Sequence, residues 1–370
     1  MKKFVYVDAS ASWLKPQSVV ETETDFLVKS YANAGRGICE RAEKVDALVN
    51  ESRRTVADFI GADEKNIIFT SGATDALNRI VDIVKNTFIN KNLVVAVSDL
   101  DHHSARLPWM ALEKQGGCRT VLIPLDKNFN LDFDNIPFAD VFVITAMSNV
   151  LGYSQDVVRF INTVRAKNPN AITVVDASQY VAHEKIDVKK FDCDFLVFSG
   201  HKIGADTGVG VMYIKNPDLF DCDKFGGGMV NRVLGDGNLI LNKSPEKFEA
   251  GTLPITQIVG LRVAIKELQQ WDGGQDIIDY MYNELSKIEH VKILSVKGAC
   301  ILSFVVHDMH VLDFGVMMGA RDICLRVGNM CASWIHKKLG VDGSIRISVG
   351  PWNTMEDAKY IIDNIKKVVG

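Results

Sequence analysis

Four apolar runs in this chain each end in residues that could do chemistry. FLVFS (195–199) leads into Gly200-His201-Lys202. Lysine forms Schiff bases when its amine pKa is depressed. Ser199 and His201 flank it and could hold a phosphate, and Gly204, Gly208 and Gly210 let the following backbone bend tightly. TVVD (173–176) ends in Asp176, followed by Ala177-Ser178-Gln179. A carboxylate there is either a helix N-cap or the counter-ion of a cationic ligand group, because an unpaired buried charge is costly. VFVIT (141–145) runs into Ala146-Met147-Ser148-Asn149. Ser and Asn are common turn residues, and Asn149 could equally donate a hydrogen bond to a ligand oxygen. LVVAVS (93–98) leads to Asp101-His102-His103. That pair is either an exposed polar loop or a source of an imidazole that stacks on a ring or acts as acid and base.

A fifth segment, Ser71-Gly72-Ala73-Thr74, opens a helical pattern after the short strand NIIFT (66–70). Free N–H groups and the helix dipole make such a turn an anion site, and Thr74 adds a hydroxyl. No GxxxxGK[ST] loop is present, and no GxGxxG follows the first strand.

The elements that must position these residues alternate between strand and helix. A helix is expected from Ala42 to Ile60, with apolar residues at Val45, Leu48, Val49, Val56 and Phe59. TVLIPL (120–125) adds another strand. The apolar runs are continuous rather than alternating, which predicts strands covered on both faces. Strand–helix alternation predicts an α/β layer architecture with a largely parallel sheet. In such sheets ligands bind beyond the carboxyl ends of the strands, where the residues above sit. After about residue 255 the pattern changes: a helix near 256–271, then CILSFVV (300–306) and SIRISVG (344–350), predict a smaller α+β domain. The glycine-rich stretch 226–238 shows no core pattern and is expected as a loop at a surface or subunit interface.

A length of 370 residues exceeds one ordinary core and predicts two domains. The net charge of −4, with scattered Lys and Arg, gives no basic stripe for nucleic acid. The N-terminal apolar stretch falls short of the ~7–15 residues of a secretion signal. No window approaches the ~18 apolar residues of a membrane span. A cytoplasmic protein is therefore expected. The seven cysteines (39, 118, 193, 222, 300, 324, 331) are odd in number and form no CxxC pair, which argues against a disulfide framework or structural zinc. No metal site is expected.

One phosphate-binding turn, one lysine, one ring counter-ion and one stacking imidazole are together the parts of a pyridoxal phosphate site. The chain resembles the class V aminotransferase-like group of fold-type I pyridoxal phosphate enzymes, and within it the cysteine desulfurases and their selenocysteine-lyase-like branch. The resemblance spans nearly the whole length. It rests on YVDASAS (6–12), GRGI (35–38), FTSGATDALN (69–78), DHHSARLPW (101–109), SNVLG (148–152), VDASQ (175–179), FSGHK (198–202), FEAGT (248–252), RVGNMCA (326–332) and RISVGPWNT (346–354).

The resemblance implies a large cofactor-binding domain over 15–255, and a small domain from 1–14 and 256–370. Lys202 would carry the cofactor. Asp176 would pair with the pyridine nitrogen and keep it protonated. Gln179 and Asn149 would contact the phenolic oxygen, and Asn149 the substrate. His102 would stack on the ring and help move protons. Ala73, Thr74, Ser199 and His201 would bind the phosphate, and Thr252 would reach the phosphate of the other subunit of a homodimer. Arg346 would clamp a substrate carboxylate, and Cys331 would be the nucleophile that takes sulfur from L-cysteine, leaving alanine and a persulfide for a sulfur-acceptor protein. Selenocysteine or cyst(e)ine lyase, an aminotransferase and a non-catalytic sulfur-carrier scaffold are the alternatives. The chain departs from many relatives at Asn329, Met330 and Cys39, where they carry glycine–histidine or histidine pairs and a histidine. A nearby imidazole helps maintain a thiolate, so these departures are expected to slow persulfide formation.

Overall fold

The computed structural model describes residues 4–35, 37–89 and 91–370. Arg36 of the GRGI motif lies outside them. The chain begins with β1 (Val5–Tyr6), α1 (Gln17–Asp25), α2 (Glu40–Ile60), β2 (Ile67–Thr70), α3 (Ala73–Thr87) and β3 (Leu93–Ser98). It continues with α4 (His103–Lys114), β4 (Cys118–Ile123), β5 (Val141–Thr145), α5 (Val157–Lys167), β6 (Ile172–Asp176), α6 (Tyr180–His183), α7 (Val188–Phe191), β7 (Phe195–Ser199) and β8 (Gly210–Ile214). Then come β9 (Val230–Val233), β10 (Leu239–Leu241), α8 (Ile255–Leu268), α9 (Gln275–Leu285), β11 (Val291–Ile293) and β12 (Leu302–Val306). The chain closes with α10 (Val311–Gly319), β13 (Ile323–Cys324), β14 (Arg326–Gly328), α11 (Ser333–Leu339), β15 (Ser344–Ile347) and α12 (Met355–Val369).

Seven strands form the main sheet in the order β2-β8-β7-β6-β5-β3-β4. The pairs from β7 to β4 are parallel, and β8 runs antiparallel to both β2 and β7. Continuous apolar strands work here because both faces are covered, and alternate side chains serve opposite cores. Phe142, Ile144, Leu196 and Phe198 enter one core. Val141, Val143, Phe195 and Val197 enter the other. A four-stranded antiparallel sheet, β11-β12-β15-β14, carries its own core. Val5 and Val7 from the chain's start pack into that core with α9, α10 and α12.

The stretch 226–238 is not wholly loop. Val230–Val233 pairs antiparallel with Leu239–Leu241 as a hairpin whose side chains are mostly exposed. Its side chains form no buried face, so no periodic apolar signal marks it. One glycine close approach shapes the ligand side of the main sheet. A Cβ on Gly210 would lie 2.5 Å from Gly72 Cα. Gly210 therefore lets the turn before α3 rest directly against β8.

Candidate active site

The carboxyl ends of β3, β5, β6 and β7 converge, as the sequence pattern predicts. Thr145 and Asp176 sit side by side in the β5–β6 register. β3 and β5 pair only at Val95–Val141 and Ala96–Phe142. Beyond that point the buried carboxylate of Asp101 accepts N–H bonds from Ser98 at 2.6 Å and Thr145 at 3.1 Å. Asp101 thus bridges the two strand ends where direct pairing stops. Burial pushes its pKa up to about 8.

A cavity of about 620 Å³ opens over these ends. Lys202, Cys331, His102, Ala73, Thr74, Asn149, Asp176, Gln179, Ser199, His201 and Arg346 all line it. Eleven residues separated by up to 273 positions therefore meet in one place. Thr252 does not join them. It is exposed beside a second cavity with Arg53, Glu249 and Gly228.

Each wall has a local cause. At the α3 end, Ala73 N donates to Ser199 Oγ at 2.8 Å, and Thr74 Oγ1 lies 2.7 Å from Ser104 Oγ. This brings a helix start and three hydroxyls together, a good anion cradle. His102 is the N-cap of α4, and its Nδ1 accepts from Ser104 N at 3.2 Å. That bond puts the ring proton on Nε2. Burial, then the Lys202 ammonium, pushes His102 down to about 4. His201 is likewise pushed to about 4 by burial, with Lys202 and Lys15 adding to it. Both imidazoles are neutral near pH 7. Asp176 is 5 % exposed and accepts from Ser178 N at 2.9 Å. Lys202 is lowered to about 8, chiefly by burial and further by Arg346, while Asp176 and Cys331 oppose the shift.

The opposite wall comes from the four-stranded sheet. Arg346 on β15 is buried; its Nη1 donates to Asn149 O at 3.1 Å and its Nη2 to Asp8 Oδ1 at 3.1 Å. Its buried Nε has no partner among the described residues. An orphan guanidinium N–H on a cavity wall is a vacant donor for an anionic ligand group. Asp8 also holds Arg326 at 2.6 Å, so two cationic side chains share one carboxylate. Asn149 and Gln179 each spend an amide N–H on backbone: Asn149 on Met330 O at 2.8 Å, Gln179 on Ser10 O at 2.9 Å.

Cys331 is exposed on the same rim. It and Met330 are consecutive non-glycine residues in the left-handed region, with φ of 54° and 52°. That conformation costs roughly 1–2 kcal/mol per residue, so the surroundings must hold it.

Asp8, Ser104, Asp101 and Arg326 are the site residues that sequence reasoning did not single out. Asp8 lay inside YVDASAS, but nothing local indicates a pairing across 338 positions.

Fold and cavity together define a fold-type I α/β enzyme, with a lysine and a buried carboxylate on neighbouring strand ends. The model of the aminotransferase class-V family matches residues 5–361, and the chain belongs to that family. A probable cysteine desulfurase of Vibrio cholerae is 33% identical over 380 residues, covering 99% of this chain and 93% of the relative. The cysteine desulfurase CsdA of Escherichia coli is 30% identical, covering 99% and 94%. Among solved structures, the apo cysteine desulfurase of Thermococcus onnurineus superposes with a TM-score of 0.93 at 31% identity, covering 99% of this chain and 94% of that one. Within the family, then, the chain groups with the cysteine desulfurases.

Proposed function

We infer that this protein is a pyridoxal 5′-phosphate-dependent cysteine desulfurase, converting L-cysteine to L-alanine and leaving the sulfur as a persulfide on Cys331. The observation that carries this reading is an exposed thiol on the cavity that also holds Lys202, Asp176 and the vacant Nε of Arg346.

The donor set fits the cofactor. Asp176 offers a buried carboxylate to the pyridine nitrogen, and neutral His102 offers a ring to stack on it. Ala73, Thr74, Ser199 and His201 gather where the phosphate belongs. Asn149 and Gln179 each retain a second amide hydrogen for a ring or substrate oxygen. Lys202 sits where it can carry the group. When bound, the cofactor supplies an electron sink for the substrate's Cα–H bond.

The chain's own residues do the rest. Arg346 orients the substrate by its carboxylate through a charge-assisted bond. The Lys202 amine, once released, takes the Cα proton. The Cys331 thiolate attacks the substrate sulfur: the S–S bond forms and the substrate C–S bond breaks. The electron pair passes to the substrate Cβ, which is protonated, and Lys202 returns a proton to Cα to give alanine. The persulfide then passes to a reductant or a sulfur-acceptor protein.

In this reading the working unit is a cytoplasmic homodimer, and Thr252 serves the phosphate of the partner's site. Residues 15–255 form the cofactor domain, with 1–14 and 256–370 as the small domain. Among the described residues, no helix is long and apolar enough to cross a membrane.

The test of the reaction class is product analysis with L-cysteine plus a reductant. Equal alanine and sulfide are expected; a keto acid without sulfide would indicate an aminotransferase. The lysine also predicts a pH profile. The neutral amine reacts with the cofactor aldehyde, so uptake by the apoprotein rises about tenfold per pH unit and levels off near the lowered pKa of about 8. The growth of visible absorbance after mixing measures it. A rate that keeps rising tenfold per unit from pH ~8.5 to ~10 would show an ordinary lysine.

A further inference from the structure

The strained turn that carries Cys331 is held by two donors that meet on adjacent carbonyls. Asn149 Nδ2 donates to Met330 O at 2.8 Å, and the main-chain N–H of His103 donates to Cys331 O at 2.7 Å. The turn also closes on itself. Ala332 N donates to Asn329 O at 2.8 Å, and Cys331 N to Asn329 Oδ1 at 3.3 Å. The His103 ring reaches one residue further, with its Nε2 accepting from Ser333 N at 3.2 Å.

We propose that His103 and Asn149 are positioning residues for the nucleophile, clamping the Cys331 and Met330 carbonyls so that the left-handed turn presents its thiol to the cavity. Two successive non-glycine residues at positive φ persist only where surroundings over-determine them. His103 opens α4, and its N–H is one of the helix's free donors. That donor is tied to the same strand end that supplies His102. Asn149 also ties the turn to Arg346, because its backbone oxygen accepts from Nη1. The clamp therefore links the thiol, the candidate carboxylate clamp and the candidate stacking ring through two residues. It deepens the desulfurase reading and rests on it for its catalytic consequence alone.

Position 103 allows a sharp test. It is the first residue of α4, where proline is well tolerated, and His102 already has the extended backbone (φ −60°, ψ 151°) that a following proline requires. His103→Pro removes the N–H with the imidazole and sets its Cδ against Cys331 O, which lies 2.7 Å from that nitrogen, so the carbonyl is both released and displaced, whereas His103→Ala removes the imidazole and keeps the N–H. In the cofactor-loaded proteins, amide exchange at Ala332 is expected faster in His103→Pro than in His103→Ala by about tenfold or more, the lost hydrogen bond alone accounting for about tenfold. Alanine formation from L-cysteine is expected to fall about tenfold between the same two variants. Asn149→Ala supplies the second arm, with about tenfold faster Ala332 exchange than the unaltered protein. Equal exchange in the two position-103 variants, or an Asn149→Ala protein that exchanges like the unaltered one, overturns the clamp. Should His103→Pro fail to fold, the Asn149 arm decides. If exchange responds as expected but no variant, nor the unaltered protein, makes alanine, the clamp stands and the desulfurase reading fails.

Discussion

A Lys202→Ala protein purified with added pyridoxal phosphate is expected to be colourless and to lose turnover of L-cysteine by at least about 10⁴-fold. Lys202 stands just beyond β7, lining the same cavity as the Asp176 carboxylate and the Ala73–Ser199 pair. Among the described residues, no other lysine lines that cavity. In the proposed reaction the substitution removes both the group that would carry the cofactor and the base that would move the Cα proton. The far-ultraviolet circular dichroism is expected to be unchanged, because the side chain is not in a core cluster. An absorbance spectrum like that of the unaltered protein would remove Lys202 from its role.

Arg346→Ala is expected to raise KM for L-cysteine about a hundredfold while leaving the visible spectrum of the loaded protein in place. Losing a buried, hydrogen-bonded charge partner costs about 2–5 kcal/mol, and a carboxylate substrate has Arg346 as its most buried cationic donor in the cavity. Asp8 keeps Arg326 as a partner at 2.6 Å, so the variant does not strand a buried carboxylate. Arg346→Lys is expected to recover part of the loss, since it restores charge without the planar fork. Steady-state kinetics on the three proteins checks this. A change in kcat with KM unmoved would mean that Arg346 acts on something other than the substrate's carboxylate.

Much of this site was legible because its residues sit at the ends of unmistakable strands. FLVFS, TVVD and VFVIT are continuous apolar runs, and each places its last residue at the sheet's carboxyl edge. The chemistry proposed for Lys202 and Asp176 follows from that placement, and that of the 71–74 turn from its place after β2. The resemblance supplied Arg346 and Cys331, whose segments carry no chemical signature of their own. Sequence could not show what depends on chain segments far apart. The Asp8–Arg346 pair joins the first strand to the last, and the Asp101 bridge exists only because β3 and β5 part after Ala96. The exposed hairpin at 230–241 was missed because it buries no alternate face. Asn149 offered a donor for a ligand oxygen, yet one of its amide hydrogens serves Met330 O. Which carbonyl a side chain chooses is set by tertiary packing, not by local spacing.

In the proposed reaction Cys331 takes sulfur from L-cysteine on an enzyme that carries pyridoxal phosphate. Its most direct test compares the loaded protein and its Cys331→Ala variant side by side. Each is given L-cysteine and a reductant, alanine and sulfide are quantified, and the intact protein mass is read before reductant is added. Equal alanine and sulfide are expected from the unaltered protein, with a mass gain of one sulfur atom that maps to Cys331. The variant should keep its colour, show no such gain and make no alanine. A yellow Cys331→Ala protein that forms alanine and sulfide at the unaltered rate would contradict it.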